Sequence, residues 1–240
     1  MLDAAFNAFT RTAQRTVLSV AEAAAAVAAT YHHAELWGAE RLPRGPALLV
    51  GNHGIYGYET PVFFYLLHRL TGRYPIGLAE RRFFKIPLVR SVLPWLGGLP
   101  GTRENALAAL REGHHVVCYP GGAREVFKRS HQRYTLRWEN RTGFIRVAAE
   151  AGVPIVPFAA RGVDESFLQL DDPRFCLRLS DDPTYTMPLM VPVPLAQPFR
   201  FLLGEPVQPP SLEAGDDEVL AFQERVAGSV QRLLREVQDG

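Results

Sequence analysis

The chain has 240 residues, 47% hydrophobic and 21% charged, with a formal net charge of +1. That length and apolar content suit one globular domain with a sizeable core. So small a net charge gives no global field for nucleic acid, which is not expected as a partner, and any anionic group must meet a local patch. The positive charge is almost all arginine, with lysine only at Lys85 and Lys128. Two cysteines, Cys118 and Cys176, suggest neither a disulfide scaffold nor a metal site and fit a reducing compartment. No run of about 18 uncharged apolar residues offers a membrane span, and no cleaved signal is evident, so the expectation is a cytoplasmic protein that, if it works on lipid, is associated peripherally with the membrane.

Leu2, Phe6, Phe9, Ala13, Val17, Val20 and Val27 recur at helical spacing among polar residues and predict an N-terminal amphipathic helix. Its apolar side suits either the protein's own core or a lipid interface. Residues 31–46 read as a connection, punctuated by Leu42-Pro43-Arg44-Gly45-Pro46, so 1–41 is taken as helix plus connection and 42–240 as the main domain. Ala47 to Gly51 reads as the first strand. It delivers Asn52-His53-Gly54-Ile55-Tyr56-Gly57-Tyr58-Glu59, a histidine in a glycine-containing turn with a carboxylate soon after.

A histidine base whose tautomer is fixed by a carboxylate can take the proton of an attacking hydroxyl. Residues six apart lie about 240° around a regular helix, so His53 and Glu59 meet only if the backbone between them is irregular. Gly54 and Gly57 permit that.

After the turn, Thr60-Pro61 starts a helix that stops at Gly72, and a strand follows at Ile76 to Ala79. Arg81-Arg82-Phe83-Phe84-Lys85 reads as a solvated surface or as a cluster meeting headgroups or cofactor phosphates. Ser91 to Thr102 is too broken for a long helix and reads as a turn. Arg103 to Glu112 predicts a helix capped by Gly113. His115 to Tyr119 predicts a buried strand running into Pro120-Gly121-Gly122-Ala123-Arg124-Glu125, where backbone N–H groups and a guanidinium suit an anion or oxyanion. Lys128 to Arg141 is basic and aromatic but carries no recognisable nucleic-acid module. A helix at Thr142 to Ala151 and strands at Val153 to Ala160 and Phe199 to Leu203 complete an α/β alternation, which predicts a single domain with a mostly parallel central sheet flanked by helices. Thr184 to Phe199 is uncharged and proline-broken, a segment for covering a pocket or for ordinary packing. From Asp217 an apolar stripe predicts a surface helix.

In order, Asn52-His53 with Glu59, Gly98-Leu99-Pro100-Gly101-Thr102-Arg103, Tyr119-Pro120-Gly121-Gly122-Ala123-Arg124-Glu125 and Val153-Pro154-Ile155-Val156-Pro157 resemble the blocks of the lysophospholipid acyltransferase superfamily. Within it they resemble the branch of type-2 diacylglycerol acyltransferases and phytyl ester synthases. Trp138 to Phe144 and Gly204-Glu205-Pro206 also look like family segments. The resemblance implies acyl transfer from acyl-CoA or an acyl carrier protein to a lipid hydroxyl at a membrane surface, with no cofactor beyond that co-substrate. His53 would be the general base and Glu59 its support. Asn52, Arg103, Gly121, Gly122 and Arg124 would contact substrate, and the glycine-rich turn adds the expectation that the Gly121 and Gly122 N–H groups meet the oxyanion.

Two departures bear on the acceptor. The glycerol-phosphate branch resembles His-x4-Asp, which would put the acid at Tyr58, and its third block usually carries Glu where this chain has Gly121. Both look like the neutral-lipid branch. A serine esterase lacks its G-x-S-x-G elbow here, and the doublets His32-His33 and His114-His115 lack a zinc helix's spacing. A lipid-binding protein without turnover is the non-enzyme alternative.

Overall fold

The computed structural model describes residues 2–239 apart from 86, 171, 173, 179–180 and 182–185. Its strands are β1 Glu35–Trp37, β2 Leu48–Gly51, β3 Ile76–Ala79, β4 Gly98–Pro100, β5 Val116–Cys118, β6 Ile155–Arg161, β7 Cys176–Arg178, β8 Thr186–Pro188 and β9 Arg200–Leu203. Its helices are α1 Leu2–Tyr31, α2 Glu59–Thr71, α3 Pro87–Val92, α4 Arg103–Arg111, α5 Ala123–Val126, α6 Gly143–Ala151 and α7 Asp216–Asp239. Seven strands form one sheet in the order β1-β9-β6-β2-β5-β3-β4. From β6 to β4 neighbours are parallel, whereas β9 runs antiparallel to β6 and carries β1 parallel to itself.

Alternation along the buried central strand builds both layers. Leu48 and Val50 of β2 face one core with Leu110 of α4, Val147 of α6 and Val230 of α7. Leu49 faces the other, with Phe63 and Leu67 of α2 and Ala29 of α1. Helices therefore cover both faces of a mostly parallel sheet, as such sheets require.

Local signals set the boundaries. Gly72, at φ 70°, closes α2, and Gly152, at φ 64°, closes α6. The Thr102 hydroxyl accepts the Asn105 N–H and caps α4.

Three expectations change. The connection 31–46 contributes β1, which prolongs the sheet beside β9. The turn 91–102 holds the end of α3 and the edge strand β4, too short for an apolar pattern to reveal. In α1, Val20 and Val27 are exposed and the helix packs through Ala25 and Ala29, because small side chains let it approach α2 closely. The side chains of Phe6 and Phe9 lie outside the described residues, as do Thr184 and Tyr185 of the proline-broken segment. The basic and aromatic stretch after Lys128 is no open surface, since Lys128 and Trp138 are buried.

Candidate active site

The parallel strands end together on one side of the sheet, where open α/β folds bind ligands. β2 ends in the His53 turn, β3 in Glu80 and Arg81, and β5 in the Tyr119 to Gly122 turn. Between His53 and Glu59 the chain makes a short 3-10 turn in which Tyr56 has φ 61° and Gly57 φ 68°. That irregular backbone folds the carboxylate back onto the ring. His53 Nδ1 lies 2.7 Å from Glu59 Oε1, which also accepts the Gly54 N–H at 3.0 Å. A carboxylate only accepts, so Nδ1 carries the proton and the Nε2 lone pair is left for chemistry. Burial pushes the Glu59 carboxyl upward, but the charge and hydrogen bond of His53 and the Gly54 N–H outweigh it and hold the group below its ordinary value.

The ring itself is clamped. Tyr119 stacks on it with centroids 3.8 Å apart and planes at 8°, and the Tyr119 hydroxyl accepts from the Thr60 hydroxyl at 3.2 Å. On Gly57 a β-carbon would sit 3.0 Å from His53 Cε1. Burial holds the Tyr119 phenol well above its ordinary value, so it stays protonated.

Three residues that sequence reasoning did not assign hold the histidine backbone. The Glu125 carboxylate accepts the His53 N–H at 2.7 Å and the Arg137 N–H at 2.9 Å. Lys128 Nζ donates to the His53 carbonyl at 2.9 Å and pairs with Asp164 at 2.7 Å, both side chains being fully buried. Burial raises Glu125 and Asp164 above ordinary carboxylate values, against the lowering pull of Lys128. Lys128 did carry a signal, as one of only two lysines in a chain that otherwise uses arginine. Glu125 closes the third block, and a β-carbon at Gly121 would collide with its carboxyl group.

Two cavities meet beside Tyr119, and His53 lines one of them. One, of about 790 Å³, is lined by apolar side chains and runs from His53 past Phe64, Leu78 and Leu93 to Ala21, Ala25 and Ala28 of α1. The other, of about 980 Å³, is lined by Arg81, Arg103, Arg141 and Arg146 and shares Leu78, Tyr119 and Gly122 with the first. Both volumes fall in the range of about 300–1,000 Å³ usual for small-molecule sites.

The proposed substrate contacts divide. Arg103 lines the arginine-rich cavity, mostly exposed and 2.5 Å from Glu150. Gly122 lines both cavities, but its N–H donates to Tyr119 O at 3.0 Å and so is not available for an oxyanion. The Gly121 N–H finds no acceptor among the described residues. Arg124 pairs with Glu139 at 3.0 Å, and neither residue lines either cavity. Asn52 is buried with both ends of its amide on the Ala160 backbone, at 2.9 and 2.8 Å, and so ties β2 to β6 rather than meeting substrate.

This combination of fold and motif order is that of an acyltransferase. The sequence profile of the family described as Acyltransferase matches residues 33–161, more than half of the chain, and the chain belongs to that family. It is 33% identical over 230 residues to the human DGAT1/2-independent enzyme synthesizing storage lipids, covering 92% of this chain and 66% of that protein. To the mouse protein of the same name it is 33% identical over 201 residues, 81% of this chain and 58% of the relative. Over 135 residues it is 38% identical to the chloroplastic phytyl ester synthase 2 of Arabidopsis thaliana, 52% of this chain and 19% of that one. The chain thus spans roughly three-fifths of the storage-lipid relatives. The crystal structure of the 1-acyl-sn-glycerophosphate acyltransferase PlsC from Thermotoga maritima shares the fold, with a TM-score of 0.57 and 18% identity over 95% of this chain and 83% of that chain.

Proposed function

We propose that this chain transfers a fatty acyl group from the thioester of acyl-CoA or an acyl carrier protein to the hydroxyl of a lipid acceptor, with His53 as general base and Glu59 as its support. The observation that carries the reading is the Glu59-fixed imidazole, 2.7 Å from its carboxylate, in the wall of an apolar cavity that reaches α1. His53 Nε2 takes the acceptor's hydroxyl proton as its oxygen attacks the thioester carbonyl. The tetrahedral oxyanion collapses, the C–S bond breaks, and the thiolate leaves with the proton that His53 returns. Ester and free thiol are the products, and no acyl-enzyme forms. Of the two N–H groups expected at the oxyanion, that of Gly121 is the one without an acceptor among the described residues, although Gly121 lines neither cavity.

The two cavities divide the substrates by chemistry. The apolar one suits an acyl chain, and the arginine-lined one suits the phosphates of the donor, since guanidinium meets phosphate with a planar pair of donors. The acceptor class follows the relatives' names, with storage lipids and phytyl esters pointing to neutral lipid alcohols. The test is ester formation from labelled long-chain acyl-CoA or acyl carrier protein with monoacylglycerol, diacylglycerol, lysophospholipid and long-chain alcohol, for the wild type and His53→Ala. Ester formed by the wild type and lost in a folded His53→Ala supports the reading. No ester with any pair refutes it.

A further inference from the structure

Beyond the site, exposed large apolar side chains gather between 168 and 195, with Leu168 57%, Phe175 46% and Val193 61% accessible. Strand register explains their arrangement. β7 and β8 pair antiparallel with Leu177 opposite Met187, and Gln169 bridges Met190. The Val191 N–H donates to Leu168 O, Leu170 N–H to Leu189 O and Leu189 N–H to Phe175 O. Residues 168–170 and 175–178 therefore pair with 186–191 as one two-stranded ribbon. Side chains alternate across a ribbon and cross-strand partners share a face. Leu168, Leu170, Phe175 and Leu177 thus lie on the same side as Met187, Leu189 and Val191, an all-apolar face.

The opposite face is fastened to the groups that hold His53. Gln169 Nε2 donates to Lys128 O at 3.0 Å, the Tyr56 hydroxyl donates to Pro188 O at 2.6 Å, and Arg129 Nη2 lies 3.8 Å from Cys176 Sγ. Met187 packs against Ala123, Val126 and Phe127 and lines the apolar cavity that holds His53, so the ribbon borders that cavity.

We propose that this apolar face docks on the hydrocarbon surface of a lipid layer and brings the neighbouring cavity to it. The assignment rests on the acyl-transfer reading only for its link to turnover. Three observations favour lipid over a protein partner. The face is leucine, valine, methionine and phenylalanine, without the tyrosine, tryptophan and arginine that anchor protein interfaces. The second strand and its extension, Thr186 to Phe199, carry no charge, while in the first strand Arg178 alternates onto the face of Cys176 and Arg174 pairs with Asp172. The ribbon also borders an apolar cavity, which a membrane-borne chain would enter without crossing water. Val193 and Leu195 extend it, and the Tyr31 hydroxyl joins it to α1 through Pro194 O at 2.9 Å. Because docking rests on apolar area, added salt changes it little.

The full chain is centrifuged with phosphatidylcholine vesicles at low and high salt, alongside Leu168→Asp/Phe175→Asp. The expected result is wild-type binding that salt changes by less than about twofold, reduced roughly tenfold or more in the double variant. The variant keeps its activity on short-chain, water-soluble substrates and loses it on vesicle-borne acceptor. In Phe175→Trp, which adds no charge, tryptophan emission shifts to the blue on vesicles. Equal vesicle binding by wild type and double variant, an unshifted Phe175→Trp, or a dimer broken by the double variant without vesicle binding would each overturn the proposal. His53→Ala separates the two readings. If no enzyme form makes ester while vesicle binding still depends on Leu168 and Phe175, acyl transfer fails and docking stands.

Discussion

Lys128→Met tests whether the buried ion pair exists to hold His53 or merely to stabilise the fold. Lys128 Nζ touches two groups, Asp164 at 2.7 Å and the His53 carbonyl at 2.9 Å. Its removal leaves a fully buried carboxylate whose remaining hydrogen bond comes from the Tyr134 N–H at 2.7 Å. Breaking a buried pair from one side costs about 3–5 kcal/mol, a large part of the roughly 5–15 kcal/mol that holds a domain folded. Lys128→Met/Asp164→Leu removes the orphaned charge as well, and apolar replacement of a whole buried pair is neutral or stabilising in many proteins. The Tyr134 N–H is then left without its acceptor and the His53 carbonyl without its Lys128 donor, at about 1–3 kcal/mol each, and the second loss is common to both variants. The double variant should therefore be more stable than Lys128→Met in urea unfolding. Its turnover should not recover, because the His53 carbonyl still lacks its donor and a shift of about 1 Å at a reacting group can cost about 100-fold. A single variant within about 1 kcal/mol of wild type, or a double variant with wild-type turnover, would refute the reasoning.

Glu59→Gln should lower turnover by about 10²–10⁴-fold with the fold intact, measured as ester formation. Its pH signature has a definite sign. Glu59 is held below its ordinary value of 4.5, so its stabilising contribution is complete above that pH and is lost as pH falls through the folded value. The stability gap between wild type and Glu59→Gln should accordingly shrink on acidification below 4.5, and a gap that widens there would contradict the assignment. Gly57→Ala, at φ 68° with its β-carbon 3.0 Å from His53, should cost about 1–2 kcal/mol and at least about tenfold in turnover. Gly72→Ala, at φ 70° in open space, should cost similar stability and no turnover, a contrast visible by comparing melting with ester formation. Ala28→Leu should fill the α1 end of the apolar cavity and move the preferred acyl chain roughly two methylenes shorter in a chain-length series.

What was legible follows from range along the chain. Gly72 and Gly152 closed their helices where left-handed backbone was needed, and the apolar run before His53 gave β2 almost to the residue. These are local effects. β1 and β4 were missed because each has three residues and exists through its neighbours in the sheet, not through a pattern of its own. The His53 and Glu59 contact was legible because two glycines sit inside a spacing of six, and the structure brings the pair together. Glu125, Lys128 and Asp164 were not, since they act on His53 from 72 residues away or more, or through one another.

The one-residue displacement of the acid explains itself in the same terms. Neighbouring positions on a helix are about 100° apart, so an acid at 58 and one at 59 cannot point the same way at the start of α2. Tyr58 instead turns to His32, 3.2 Å away, and to the Phe167 ring. Glu59 reaches His53 because Tyr56 and Gly57 take left-handed backbone and absorb the extra residue. Its longer side chain, relative to aspartate, then spans to both Nδ1 and the Gly54 N–H. The same compensation operates at the third block, where glycine at 121 leaves room for the Glu125 carboxyl group to reach the His53 N–H. The two departures from the glycerol-phosphate pattern are therefore linked through one histidine. Restoring Glu at 121 alone should displace Glu125 and impair the enzyme rather than change its acceptor, which ester formation by Gly121→Glu across the acceptor panel would check.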